Sequence, residues 1–402
     1  MGKLFYNLGL LSYSSAIHLA SPFKEKAKLF VQGRKHQDIK SHEGCIWFHC
    51  ASLGEFEQAR PIIEGIKENN SKQEIVITFF SPSGYEIRKD YRLADAIYYL
   101  PLDRASNAKR FLDQLQPKAA IFIKYEVWHY YFKELKQRKI PLYLVSATFR
   151  ENQIYFKPQG KFLKNTLMLC DHIFTQDQAS LDLLAAHGFN QITLAGDTRF
   201  DRVMAQSKQA NENQKIAGFK GNDLLIIVGS SWPLEEKLLS TFIKNNSLSG
   251  VKFLIAPHDI SENHVEAILA QFNGSTRYQS EGNQETDVMI LDTIGHLASA
   301  FSHADIAIIG GGFTNALHNI LEPATFGLPV LYGDNHEKYP EGNELMNSGG
   351  GFSVSQEKFD QILNDLISDV SKRQTAGKAS SKFIQERIGA TKLLFEKIPE
   401  LS

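Results

Sequence analysis

The chain is short of cysteine: Cys45, Cys50 and Cys170 are the three in 402 residues. An odd count with no C-x-x-C pair and no Cys/His metal spacing excludes a disulfide framework and a zinc site of the usual kind. Cys45 and Cys50 stand five apart in an apolar run, which on a strand sets them on opposite faces. All three read as small buried residues of a reducing compartment. Net charge is scarce too: 44 Lys+Arg against 45 Asp+Glu leave −1. That excludes a global basic field for nucleic acid, although not a local basic patch. A mean hydropathy of −0.26 excludes a polytopic membrane protein. Several motifs are absent as well. There is no D-x-D, so a metal-bound diphosphate leaving group has no support. There is no HExxH, P-loop, G-x-S-x-G elbow or G-x-G-x-x-G fingerprint. The expectation is an enzyme with no metal and no resident cofactor.

What is present is ordinary globular composition, 43% hydrophobic and 22% charged. At this length about two to three domains are expected. From residue 45 short apolar runs alternate with amphipathic ones. The runs are 45–51, 74–80, 96–100, 119–123, 141–146 and 172–175, all rich in Ile, Val, Phe and Tyr. Continuous apolar strands of this kind belong to parallel sheets covered on both faces. Helices are expected between them, for example Glu55–Asn69 and Asn107–Leu115. Residues 204–222 are poor in apolar side chains and read as a linker or a surface helix at a boundary. A second series follows at 224–231, 251–257, 287–292, 304–312 and 328–333. The expected architecture is therefore α/β, with two Rossmann-like domains facing a cleft. They are placed at 41–210 and 211–402, the second carrying the C-terminal helix near Ser381–Lys397.

Residues 1–40 form a segment of their own. Leu4, Leu8, Leu11 and Ile17 have helical spacing, but Asn7, Ser12, Ser14, Ser15 and His18 interrupt the apolar run, and no signal-peptide cleavage pattern follows. Between Lys24 and Lys40 six basic residues face two acidic ones, a local charge of +4. An apolar helix followed by a basic segment is the pattern of an interfacial anchor on an anionic leaflet. A helix packed on its own domain with a solvated basic face gives the same pattern.

Three constellations lie where strands of such a fold end, the edge at which open α/β sheets bind ligands. After the first strand comes Ala51-Ser52-Leu53-Gly54-Glu55, which brings Glu55 to a helix start. A carboxylate there also simply complements the helix dipole. In the second half Gly310-Gly311-Gly312 ends a strand, where backbone can approach a phosphate. It is followed by His318, Asn319, Ile320, Leu321, Glu322 and Pro323, with Glu322 suited to a ribose diol. Gly229-Ser230-Ser231-Trp232 and Pro257-His258-Asp259 fall at the same edge.

These residues resemble a known family. WFHCASLGEFEQARP (47–61) is similar to the W-x-H-x-x-S-x-G-E signature of the 3-deoxy-D-manno-octulosonic acid (Kdo) transferases, inner-membrane enzymes of lipopolysaccharide synthesis. Similarity continues in order through TFFSPSGYE (78–86), YYLPLDRASNAKRFL (98–112), YEVWHYY (125–131), LVSATFREN (144–152), AGDTRFDRV (195–203), LDTIGHLASAFSHADIAIIGGGF (291–313) and NILEPATFGLPVLYG (319–333). The resemblance implies a GT-B glycosyltransferase. It implies inverting, metal-independent transfer of Kdo from CMP-Kdo to a hydroxyl of a lipid A precursor of the lipid IVA type, releasing CMP. Glu55 would be the general base and Glu126 a second functional acid. Arg199 would stand where the family has a lysine that stabilises the transition state. Pro257, His258, Ile294, Gly295, His296, Asn319, Ile320, Leu321 and Glu322 would hold the donor, with Ser230, Ser231, Gly311 and Gly312 beside them. Ser52, Gly54 and Arg60 would face the acceptor. The implied partners are CMP-Kdo, the lipid A precursor and the anionic inner membrane at its cytoplasmic face, with no nucleic acid.

The chain departs from the family pattern at several of these places. Pro257-His258-Asp259 replaces P-R-H, His296 replaces a glutamate, Ser231-Trp232-Pro233-Leu234-Glu235 replaces T-H-E-G-E, Ala316-Leu317 replaces a glycine pair, and Lys124 replaces an acid. Another GT-B enzyme, a nucleotide-sugar transferase or an epimerase, is the alternative reading. Competition by CMP against UDP separates the two.

Overall fold

The computed structural model describes residues 2–280 and 286–402. The chain forms two compact units, Met1–Arg202 with Ile388–Ser402, and Val203–Arg387. In the first unit β1 (Ile46–Cys50), β2 (Ile75–Phe79), β3 (Ala96–Tyr99), β4 (Ala119–Ile123), β5 (Leu142–Ala147), β6 (His172–Thr175) and β7 (Ile192–Leu194) make one sheet. Its order is β3-β2-β1-β4-β5-β6-β7, and every pairing is parallel. Period-2 alternation sends Cys45, Trp47, Val76 and Phe122 into the core on one face. Ile46, Phe48, Cys50 and Ile77 enter the core on the other. Cys45 and Cys50 thus lie on opposite faces, as their spacing requires.

The second unit repeats the plan. β8 (Leu224–Ser231), β9 (Val251–Pro257), β10 (Thr276–Arg277), β11 (Val288–Ile290), β12 (Ile306–Ile309), β13 (Val330–Gly333) and β14 (Gly351–Val354) pair in the order β10-β11-β9-β8-β12-β13-β14. The strand order reverses between β1 and β4 in one sheet and between β8 and β12 in the other. Such switch points open a crevice at the carboxyl ends of the strands.

Two expectations about the chain's organisation change. The stretch 204–222 is largely helical, and helix Gln214–Lys220 buries Ile216 and Phe219. The expected helix near Ser381–Lys397 is two helices, Val370–Gln385 and Ala390–Lys397. Gly389, at φ +115°, breaks them, in a conformation that side chains with a Cβ rarely adopt. The second helix belongs to the first unit and not to the donor half. Leu394, Ile398 and Leu401 join the core of Ile62, Ile63 and Ile66, and Asp201 accepts hydrogen bonds from the Gly389 and Thr391 N–H groups.

At the N-terminus α1 (Gly2–Ala20) and α2 (Glu25–His36) form two helices. The Tyr6 hydroxyl donates to buried Asp103, the Tyr130 hydroxyl donates to Asn7 at 2.8 Å, and Tyr6 packs against Phe162. This latch ties α1 to its own domain. Leu4, Phe5, Leu8, Leu11, Leu19 and Phe23 nonetheless remain exposed, Phe23 by 87%. Among the described residues no helix is long and apolar enough to cross a membrane.

Candidate functional site

In the first unit the switch point brings two acids to one edge. Glu55 lies in the first turn of α3 (Leu53–Asn69), which follows β1. Glu126 lies in the loop after β4, the neighbouring strand. Glu55 is 7% exposed and its carboxylate accepts the Ala51 N–H. Burial raises its pKa to about 7, against the pull of that N–H and of the Lys124 ammonium. Burial, and then the charge of Glu55, pushes Glu126 higher, to about 8. Two carboxyls in one desolvated place cannot both ionise cheaply, which separates their proton affinities. Lys124, a departure from the family pattern, supplies the nearby positive charge.

His49 belongs with them, and the sequence reading did not single it out. It is completely buried on β1, and its Nε2 lies 4.0 Å from Glu126 Oε2. Its Nδ1 meets Thr78 Oγ1 at 2.9 Å, and Thr78 also accepts the Trp47 indole N–H at 2.8 Å. Burial lowers its pKa to about 3, so the imidazole is neutral. The signal was the histidine of W-x-H, which a period of two sets on the same face as Trp47.

Ser52 is the N-cap position of α3 with no side-chain cap bond, and Gly54 is exposed. Arg60 is committed elsewhere on the helix, to Glu64 at 2.8 Å and Glu57 at 3.5 Å. Arg199 forms a third cluster. It pairs with buried Asp197 at 2.7 Å, which also accepts from Gln58 and Gln176. Burial alone would raise the Asp197 pKa, but the Arg199 guanidinium wins and holds it low.

In the second unit the switch point gathers an indole and two imidazoles. Trp232 stacks on His258 at 5.1 Å with planes 10° apart, and donates its indole N–H to His318 Nε2 at 2.9 Å. Burial, with the charge of His258, lowers His318 to about 4. Pro257 ends β9, and the His258 N–H donates to the Ser231 carbonyl at 2.9 Å. Ser230 takes φ +52°, while the buried Ser231 hydroxyl donates to Glu236 at 2.9 Å.

The glycine turn is tight: a Cβ on Gly312 would meet the Gly333 nitrogen at 2.5 Å. The Gly311 N–H is not open to a phosphate, because it donates to Glu235 at 2.8 Å. The other Glu235 oxygen takes the Trp232 N–H at 3.2 Å. This carboxylate braces both loops, a role that the spacing alone did not show. Ile320 and Leu321 bury their side chains, so only their backbone could serve a ligand, and the Leu321 N–H is taken by Asn319. Asn319 also donates to Glu322 at 3.0 Å. Ile294 is 83% exposed, Gly295 has φ +95°, and His296 lies 5.2 Å from the Tyr278 ring.

Residues 23–202 match the family model for 3-deoxy-D-manno-octulosonic-acid transferase (kdotransferase). The chain is 29% identical over 339 residues to the 3-deoxy-D-manno-octulosonic acid transferase of Aquifex aeolicus (strain VF5), covering 83% of this chain and 88% of that protein. It is 25% identical over 370 residues to that of Haemophilus influenzae, covering 87% and 86%. Among solved structures it is similar to UDP-GlcNAc 2-epimerase from Neisseria meningitidis bound to UDP-GlcNAc, with TM-score 0.61 and 15% identity over 89% of this chain and 100% of that one. At that identity the shared property is the fold, the pair of parallel-sheet domains of GT-B enzymes. By its motifs and its relatives the chain is similar to the Kdo transferases, and it shares the fold of GT-B enzymes.

Proposed function

We propose that the chain transfers Kdo from CMP-Kdo to a hydroxyl of a lipid A precursor of the lipid IVA type, with inversion, release of CMP and no metal. The observation that carries this reading is the buried Glu55–Glu126 pair at the switch point of the first sheet. A lipid hydroxyl holds its proton far above neutral pH and must lose it as the oxygen attacks. Glu55 takes that proton, the new C–O bond forms at the anomeric carbon, and the bond to the CMP phosphate breaks with its electron pair on phosphate. One displacement from the opposite face inverts the centre. Glu126 keeps its own proton with His49 beside it, which spares Glu55 a second negative neighbour. Arg199 offers positive charge, already shared with Asp197. Glu322 and Asn319 serve the ribose, and His258 stands where the family pattern holds phosphate, with His318 beside it.

The test is Glu55→Gln, which keeps shape and hydrogen bonding but cannot accept the proton. Turnover of CMP-Kdo with lipid IVA, followed by mass spectrometry, should fall about 10²–10⁴-fold. CMP affinity and melting temperature should stay near wild type. An active but less stable variant makes Glu55 a helix-start carboxylate and overturns the mechanism.

The same reading puts the protein at the cytoplasmic face of the inner membrane. The support is the exposed apolar row of α1 beside the basic Lys24–Lys40 segment, two weak signals that act together. Removal of residues 1–23 should abolish sedimentation with anionic vesicles. Equal sedimentation of both forms would remove this part of the proposal.

A further inference from the structure

A groove runs between α1, α2 and the turn after β2. It has a volume of about 360 Å³ and is walled by Tyr13, Ile17 and Ala20 from α1, Ala27 and Phe30 from α2, and Phe80. That volume is at the lower end of small-molecule sites, about 300–1,000 Å³. Its lining is almost all carbon, and the exposed side chains of Lys24 and Lys26 border it. The wall is held firmly. Phe80 stacks on Tyr13 at 5.9 Å and meets Phe30 edge-on at 5.3 Å. The buried Arg34 guanidinium donates to the Phe80 carbonyl at 2.6 Å and lies 3.5 Å from the Phe30 ring centre.

The wall of the groove touches the two loops of the carboxylate site. Phe80 packs its ring against Trp128 at 4.8 Å, two residues beyond Glu126. Ser81, in the groove wall, donates its N–H to the Ala51 carbonyl at 2.9 Å, and the Ala51 N–H is the one that Glu55 accepts. An occupant of this groove would have its polar end next to the loop that carries the base.

We propose that the groove binds a fatty-acyl chain of the lipid acceptor, with Lys24 and Lys26 beside the anionic headgroup. This rests on the lipid acceptor proposed above, and adds where one of its chains goes. An acyl chain matches the carbon lining, and phosphate on the headgroup matches the two ammonium groups. The contact of the groove wall with the Glu55 loop favours the acceptor over a bulk bilayer lipid, since only the acceptor must present a hydroxyl there. Groove binding then contributes uniform affinity and also places the sugar for attack.

The experiment uses the full-length protein and a dansyl-labelled fatty acid, read by fluorescence below its micelle concentration. Wild type should bind one probe, and a water-soluble acylated acceptor analogue should displace it. Each methylene removed from the analogue should weaken displacement about fourfold. Ala27→Trp and Ala20→Trp, which fill the groove from helix positions, should each weaken probe binding at least about tenfold. In turnover they should remove the preference for acylated over fully deacylated acceptor. Probe binding that ignores both tryptophans, or competition by phosphatidylglycerol as strong as by the acceptor analogue, overturns the proposal. If displacement behaves as expected but wild type transfers no Kdo, the groove stands and the transfer reading fails. Loss of turnover on both acceptors alike in both variants, with probe binding kept, assigns the tryptophans a structural effect and overturns the groove.

Discussion

After β1 and β4 in the first unit, and after β8 and β12 in the second, the chain leaves a parallel sheet at a switch point of the same topology. The side chains placed there are opposite in kind. The first edge gathers ionisable groups out of water, Glu55 and Glu126 with His49 behind and Lys124 beside them. The second edge is made of glycine backbone and a stack of Trp232, His258 and His318, and its carboxylates, Glu235 and Glu236, are already hydrogen-bonded to the chain itself. On the function proposed above, the first edge moves a proton and the second fits a shape. The fold supplies the location in both, and the residues on its loops supply the chemistry.

The sharpest way to break this contrast is at Glu55. If the first edge is the proton-moving one, Glu55→Gln loses about 10²–10⁴-fold in kcat while calorimetric CMP affinity is kept. Glu322→Ala should do the reverse. Two hydrogen bonds to a charged group are lost, so CMP binding weakens on the order of 10–100-fold and the loss appears mainly in KM for the donor. Unchanged CMP affinity in Glu322→Ala would erase the contrast from the second side.

A third test uses pH. Both first-edge carboxyls have folded pKa values above their ordinary 4.5, to about 7 and about 8. The folded state therefore holds more protons than the unfolded chain, and stability falls as pH rises through these values. Above pH 6.5 the buried His49 no longer opposes this, because the imidazole is neutral in both states. Wild type should lose up to about 1.4 kcal/mol per pH unit for each such proton between pH 6.5 and 8. Glu126→Gln should flatten that slope in calorimetric scans at several pH values. Activity moves the other way, because kcat should rise as Glu55 ionises near pH 7.

The smallest effect is expected at Trp232. Phenylalanine there keeps the stack on His258 and removes the N–H to His318, worth about 1 kcal/mol. In wild type, imidazole NMR should show His318 neutral down to about pH 5, in keeping with its lowering to about 4. In Trp232→Phe its titration should shift upward, because a vacated Nε2 is free to take a proton. A His318 titration that ignores Trp232 would show that the stack alone sets its state.

Much of this was legible in residues and some was not, for identifiable reasons. β1, β4, β8 and β12 are covered on both faces and read as unbroken apolar runs. β7, β10 and β14 lie at sheet edges, are two to four residues long, and did not stand out from loop sequence. Edge strands lack a partner on one side and need no continuous apolar character. Glu55 and Glu126 could be named from motif resemblance, but the high proton affinity of each comes from burial, and for Glu126 also from the charge of Glu55, which no spacing displays. Arg60 and Arg199 were named too, yet what they do for a ligand is tempered by Glu64, Glu57 and Asp197, partners chosen by the fold. His49 was hidden because a histidine in a buried strand looks like any other core residue. Glu235 was hidden because its partner Gly311 is 76 residues away.

The return of residues 388–402 to the first unit has a consequence for synthesis. The first unit takes in both 1–202 and 388–402, with Ile398 and Leu401 fully sunk in its core and Tyr143 donating to Glu400 at 2.9 Å. The second unit is therefore an insertion within the first. A nascent chain can close the inserted domain while the domain that encloses it still lacks its last helix. The enclosing core carries contacts more than 300 residues apart in sequence, such as Ile62 and Ile63 with Leu394, and contacts of that span form slowly. Until residues 388–402 have been made and docked, the apolar face that Leu394, Ile398 and Leu401 will cover stays open, which makes that segment a checkpoint between a closed core and an aggregation-prone one.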